Sequence, residues 1–188
     1  MRLRSLLVLM LLAPIVAQAH PAPFAHVHGF VEGFTHPWTG IDHVLAMFAV
    51  GLWAAQRGGR AMWLVPATFV AVMAASGFAA SEGIIVPLPD RGIAASVLAL
   101  GVLIAVAARG SIGFAAAIVA MFAIFHGYAH GIEMPASASG LAYGAGFVVA
   151  TVSLHLLGIA SGTLARGRAS RTLGALIAAS GVWLCIAA

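Results

Sequence analysis

Long apolar segments separated by short polar connections constrain the fold of this chain more than any other feature. Only 7% of its 188 residues are charged, against about a quarter in soluble domains. Each apolar segment is near the ~20 residues that a helix needs to cross ~30 Å of hydrocarbon. The sequence therefore predicts an all-α membrane protein, with six transmembrane helices in a lipid bilayer forming one domain over residues 20–188. The six segments are residues 37–55, 61–80, 92–108, 112–128, 138–160 and 172–187.

The N-terminus has the pattern of a secretory signal peptide. Arg2 and Arg4 precede a short apolar run, and Ala17-Gln18-Ala19 fits the small-x-small cleavage site. We predict that residues 1–19 are a signal peptide cleaved after Ala19, with an uncleaved signal anchor as the alternative. Both interpretations place His20 outside the cytoplasm.

The arginines predict how the bundle is oriented. Six of them fall in the first, third and fifth connections, whereas acidic residues lie in or beside the second and fourth. The positive-inside bias then puts both termini of the mature, multi-pass chain outside the cytoplasm. Because the arginines are dispersed between apolar runs, nucleic acid is not a predicted partner. The six are Arg57, Arg60, Arg109, Arg166, Arg168 and Arg171.

The first apolar segment carries ionisable groups near its predicted outer end, namely His36, Asp42 and His43. A charge at the centre of a membrane helix costs about 3 kcal/mol on insertion scales, so such groups are usually functional. Pro37 suits a first helical turn, which predicts His36 at or just before the cap. His43 and Met47 fall on one stripe, which makes Met47 a weaker candidate for the metal path. Asp42 would either complete a metal site or hold a histidine by its second nitrogen; carbonyl bonding and helix capping are the structural alternative.

A second polar group lies at the end of the fourth segment. His126, His130 and Glu133 are spaced by four and three residues and share one helix face. Two imidazoles at i and i+4 are a common helical metal-binding arrangement. Gly127 and Gly131 leave room beside them for another helix or a hydrated ion. Since both polar groups belong to the outer half of the membrane, a shared site is predicted.

Other residues are weaker candidates for a metal path. His155 lies toward the cytoplasmic side of the fifth segment, as a second station or as a histidine bonded to a carbonyl. Asp90 begins the third segment, as a helix cap or part of the ion entrance. His20, His26 and His28 either gather cations outside the membrane or form a solvated leader.

The donor types narrow the chemistry. Imidazoles and carboxylates without a thiolate cluster suit a borderline divalent ion: Ni, Co, Zn or, less well, Cu(II). The single Cys185 excludes an intramolecular disulfide. The sequence shows no nucleotide-binding loop, so we expect no ATP hydrolysis by this chain. No ATPase subunit is evident as a partner.

Both polar motifs resemble those of the HupE/UreJ family of hydrogenase and urease accessory permeases, and the resemblance extends over the whole chain. It implies uptake of nickel, sometimes cobalt, across the bacterial inner membrane to supply metalloenzyme maturation. It also implies transport roles for the six motif residues His36, Asp42, His43, His126, His130 and Glu133. The motifs are His36-Pro37-x-x-Gly40-x-Asp42-His43, followed by Met47 and Val50-Gly51-x-Trp53-Ala54, and Phe125-His126-Gly127-x-Ala129-His130-Gly131-x-Glu133.

The sequence thus predicts a secondary Ni²⁺ permease with no enzyme activity and no permanently bound cofactor. One alternative is a membrane haem protein, with facing histidines such as His43 and His126 as axial ligands. Another is a metal sensor or docking subunit that binds the ion without transporting it.

Overall fold

The computed structural model describes residues 29–134 and 140–188, and within them the chain forms seven α-helices. The predicted signal peptide and three candidate metal-collecting residues, His20, His26 and His28, lie outside the described residues. The helices are α1 Gly29–Thr39, α2 Ile41–Arg57, α3 Ala61–Ser81, α4 Pro89–Ala105, α5 Ile112–Glu133, α6 Gly140–Leu164 and α7 Arg168–Ala187.

The helix lengths and compositions confirm a multi-pass helical membrane protein. Of the described helices, α3, α5, α6 and α7 are long and apolar enough to cross a membrane, and α1 with α2 makes a fifth span if the bent pair is counted as one. Six spans were predicted. The remaining segment forms α4, whose 17 residues reach only ~25 Å at ~1.5 Å per residue. It ends before Ala107, which has a φ of 51°, whereas the sequence predicted a helix to residue 108.

The predicted start of the first helix, at Pro37, is wrong. Pro37 lies inside α1 and is buried, so His36 is a helical residue and not a cap. The helix breaks at Gly40, whose backbone is extended (φ −99°, ψ 116°), and α2 begins at Ile41. The axes of α1 and α2 meet at 86°. The bend places His36 and the start of α2 on different helices.

The bundle is built from closely packed helix pairs: α3 with α5, α4 with α7, and α2 with α6, while α1 also packs on α6. A Cβ on Gly158 would collide with the carbonyl oxygen of Phe48, so the backbones of α6 and α2 touch. A Cβ on Gly127 would likewise meet the carbonyl oxygen of Met73 in α3. Small residues at these positions allow the helix backbones to approach this closely. The space beside Gly127 is filled by a helix.

The apolar core lies along the middle of α2 and the helices around it. Met47, Trp53 and Phe69 are fully buried there. Met47, a weaker candidate for the metal path, lies in this apolar cluster. Many large apolar residues point outward, including Trp63, Leu141 and others on the long helices, as expected for surfaces facing lipid.

Candidate metal centre

Three imidazoles from two helices form what we call the inner cluster: His43 of α2 with His126 and His130 of α5. One ring nitrogen from each lies within 4.8 Å of the others. The His43 ring centroid is 5.1 Å from that of His126 and 4.4 Å from that of His130. Residues from both sequence motifs therefore meet in space, with ring nitrogens close enough together that they could hold one metal ion.

A second set of donors forms the outer cluster: His36 of α1 with His130 and Glu133 of α5. His36 Nε2 donates a hydrogen bond to Glu133 Oε2 at 3.0 Å. The same carboxylate oxygen lies 3.5 Å from His130 Nδ1. The His36 and His130 rings meet edge to face, with centroids 5.0 Å apart. Both clusters use His130.

Exposure falls steadily from the outer cluster to the inner one. The side chains of Glu133 and His36 are 47% and 33% exposed, those of His43 and His130 are 12% and 5%, and His126 is fully buried. The outer cluster therefore combines a carboxylate with access from outside. The inner cluster consists of imidazoles alone, and these are more buried than the outer donors.

Asp42 is hydrogen-bonded to His43. It is not a member of either cluster among the described residues. Its Oδ1 accepts hydrogen bonds from the backbone N–H and the ring Nδ1 of His43, both at 2.8 Å. A Cβ on Gly40 would lie 2.8 Å from that oxygen and 3.0 Å from Nδ1, so the folded-back pair needs glycine there. Since a carboxylate only accepts, Nδ1 carries the proton and Nε2 keeps its lone pair. The hydrogen bond from Nδ1 is the contact that the second of the two predicted roles of Asp42 requires.

His126 and His155 have surroundings that the sequence did not indicate. The ring of Phe69 contacts both, with centroids 5.4 Å from His126 and 5.3 Å from His155. Ser96 of α4 places its hydroxyl 3.1 Å from His126 Nε2. His155 is buried, and neither of its ring nitrogens has a hydrogen-bond partner among the described residues. The predicted alternative, a carbonyl-bonded His155, is therefore not what the fold contains.

Asp90 is the second residue of α4 and is exposed. The cap position belongs to Leu88, with a φ of 52°, and Asp90 follows Pro89 inside the first turn. The predicted capping role is wrong for this reason. Among the described residues Asp90 joins neither donor cluster, and its part in an ion entrance stays a prediction.

Long apolar helices that bury several imidazoles beside a carboxylate define a multi-pass membrane protein with a candidate centre for divalent cations. The model of the HupE / UreJ protein family matches residues 7–184, and the chain belongs to that family. Protein HupE of Rhizobium leguminosarum bv. viciae is 42% identical over 177 residues, which cover 92% of this chain and 92% of that protein. No solved structure matches the chain. The family resemblance inferred from the two motifs is confirmed.

Proposed function

We propose that this protein is a permease that carries Ni²⁺, with Co²⁺ as a second cargo, across the bacterial inner membrane to supply metalloenzyme maturation. The ion is the transported substrate, and the chain has no enzyme activity and no resident cofactor. The observation that carries the proposal is the pair of donor clusters joined by His130. Two sites that share a ligand allow an ion to pass from one to the other without losing all its protein contacts.

The outer cluster is suited to capture. Glu133 supplies negative charge and lies at the end of α5, where it is accessible. His36 adds a nitrogen donor from α1. A hydrated divalent cation is attracted by the carboxylate and first exchanges part of its water for these exposed ligands. His20, His26 and His28 would collect cations ahead of the outer cluster.

The inner cluster is suited to dehydration of the ion. His43, His126 and His130 offer nitrogen donors in a buried region. The negative charge of Asp42 behind His43 makes that imidazole a better donor and offsets the incoming charge. His130 takes part in both clusters, so it can keep its hold while the other ligands are exchanged.

Beyond the inner cluster the path continues past Phe69 to His155, which acts as a second station toward the cytoplasm. An inside-negative potential favours this movement by about 4–5 kcal/mol per divalent ion per 100 mV. Few, exchangeable ligands suit the task, because a tight closed site would retain the ion. Imidazole donors without a thiolate fit borderline ions such as Ni²⁺ and Co²⁺.

The proposed topology has six membrane crossings with both mature termini outside. Three arginine-bearing connections support it because they meet at one end of the bundle, opposite the histidines. Arg57 donates to the carbonyl oxygens of Ala108 and Gly110, and Arg171 donates to that of Ala105. A single positively charged end is what the positive-inside bias requires of the cytoplasmic face.

The haem alternative fits the geometry poorly. The His43 and His126 rings are in direct edge contact, and His130 fills the remaining side, which leaves no gap between them for a flat macrocycle. A Soret band in the purified protein would restore that alternative. A sensor or docking subunit would bind metal but accumulate none in sealed vesicles.

The test is ⁶³Ni²⁺ uptake by cells that lack their own nickel importers. We expect the wild type to accumulate nickel, and His43→Ala and His130→Ala to accumulate far less of it at equal membrane levels. Ser180→Ala is a matched control, since the hydrogen bond of the Ser180 hydroxyl within the described part of the chain is to the Leu176 carbonyl on α7. Competition by Co²⁺ and Zn²⁺ then ranks the cargo. A wild type inert toward all three metals would contradict the proposal.

A further inference from the structure

Ser96 of α4 is a fully buried hydroxyl pressed against the inner cluster. Its Oγ lies 2.6 Å from the carbonyl oxygen of Ile93, one turn earlier in the same helix, and 3.1 Å from Nε2 of His126. Its hydroxyl links α4 to a cluster that is otherwise built by α2 and α5. No sequence motif marks this residue.

Counting protons fixes the direction of both hydrogen bonds. A carbonyl oxygen only accepts, so the single hydroxyl proton of Ser96 must point to Ile93. The hydroxyl oxygen is then an acceptor toward His126, and Nε2 of that imidazole must carry a proton. A neutral imidazole has one N–H, which leaves Nδ1 of His126 with a free lone pair. Nδ1 is buried and has no hydrogen-bond partner among the described residues.

We propose that Ser96 is a positioning residue that holds His126 as the Nε2–H tautomer and so presents Nδ1 to the transported ion. The inference rests on the proposed function of the inner cluster as an ion site. Ser96 does not touch the ion, and it acts through the imidazole that it orients.

The hydrogen bond between Ser96 and His126 matters more for the histidine than for the serine. The hydroxyl of Ser96 already satisfies its own proton on the backbone, as buried serines in helices commonly do. His126, by contrast, would bury an unpaired N–H without it, because neither ring nitrogen has another partner among the described residues. An imidazole free to rotate or change tautomer would offer its lone pair in varying directions.

His43 is held by the opposite arrangement. Asp42 accepts from Nδ1 of His43 and leaves Nε2 free, whereas Ser96 accepts from Nε2 of His126 and leaves Nδ1 free. The two histidines therefore bind the ion through different ring nitrogens. The other nitrogen of His43 donates to a charged carboxylate, and that of His126 donates to a neutral hydroxyl. The neutral partner makes His126 the weaker donor of the two, which suits an ion that must move on.

The first measurement uses the metal-free full chain in bilayers, labelled with ¹⁵N-histidine. The His126 signals are identified by their loss in His126→Asn. We expect wild-type His126 to be a neutral Nε2–H imidazole whose proton is shifted downfield by its hydrogen bond. Ser96→Ala should lose that downfield shift, and Ser96→Thr, which keeps the hydroxyl, should retain it. Ser153→Ala is the matched control, because Ser153 bonds the Val149 carbonyl one turn back and no histidine.

The second measurement is the concentration dependence of ⁶³Ni²⁺ uptake at equal membrane levels. We expect Ser96→Ala to raise the half-saturating nickel concentration about 10-fold, the lower end of the effect of losing a partner behind a metal ligand. Ser96→Thr and Ser153→Ala should stay near wild type.

A proton on Nδ1 in the wild type, or an Nε2–H signal unchanged in Ser96→Ala, would overturn the positioning role. So would unchanged nickel saturation in Ser96→Ala in a chain whose uptake depends on His43. If the wild type takes up no metal while the NMR signals respond as expected, the proposed function fails and the assignment of the tautomer stands.

Discussion

The outer and inner clusters share His130 but differ in almost every other property. The outer one has a carboxylate, Glu133, and both it and His36 are substantially exposed. The inner one has imidazoles only, and its deepest member, His126, is fully buried. Charge and access are thus concentrated where the proposed cargo would arrive, and neutral donors where it would be dehydrated. Under the proposed function, two incomplete sites around a common ligand separate capture from dehydration.

The largest expected effect comes from removing the common ligand. His130→Ala deletes a donor from both clusters, so we expect nickel uptake to fall about 100-fold, the upper range for losses at metal sites. Initial rates of ⁶³Ni²⁺ uptake at matched membrane levels measure it. If this variant keeps a third of wild-type uptake, the two clusters do not depend on a shared histidine.

The next comparison sets one cluster against the other. We expect His43→Ala to lower the maximal rate about 30-fold, because dehydration fails whatever the nickel supply. His36→Ala should raise the half-saturating concentration about 10-fold while high nickel restores the rate, since it weakens capture only. Full saturation curves separate the two patterns. A His36→Ala defect that added nickel does not relieve would assign capture and dehydration to the same residues.

A smaller effect is expected from the group behind the inner cluster. Asp42→Asn keeps an oxygen acceptor for His43 but removes the negative charge. We expect about 10-fold weaker nickel uptake at low concentration, with Asp42→Ala worse because it also loses the hydrogen bond. If Asn and Ala are equally impaired, the charge and not the orientation of His43 is what Asp42 supplies.

The smallest effect is the dependence on pH. Imidazoles bind metal only when neutral and are the side chains that ordinarily titrate between about pH 5 and 8. Uptake should therefore be complete above that range and fall several-fold as the outside pH drops from about 7.5 to about 5. The measurement needs cells or vesicles with a fixed membrane potential. Uptake that stays constant from about pH 7.5 to about pH 5 would count against ligation by imidazoles.

The sequence predicted which residues meet, because the constraint was simple. Two polar groups at the outer ends of helices that run in opposite directions must occupy the same level of the membrane. The i, i+4 spacing of His126 and His130 fixed their common face. The local geometry at His36 was predicted wrongly. Pro37 favours a helix start, but packing of α1 against α6, where Gly33 lies on the backbone of Tyr143, keeps it inside a helix.

The roles of Ser96 and Phe69 were not predictable from the chain alone. One hydroxyl or one aromatic ring in an apolar helix carries no signal about the side chain that it faces. Their contacts with His126 depend on how α4 and α3 pack beside α5, which is set by tertiary structure. That Asp90 does not cap α4 was also not predictable from the sequence, since the backbone conformation at Leu88 sets the cap position.

The backbone contacts between helix pairs have a mechanical consequence. Because the backbones of α2 and α6 touch at Gly158, and those of α3 and α5 touch at Gly127, sliding within either pair would bring backbone atoms into collision. His43 belongs to the first pair, whereas His126 and His130 belong to the second. The inner cluster therefore lies between two closely packed helix pairs. A displacement of one pair against the other would change the distances from the His43 ring to the two α5 rings.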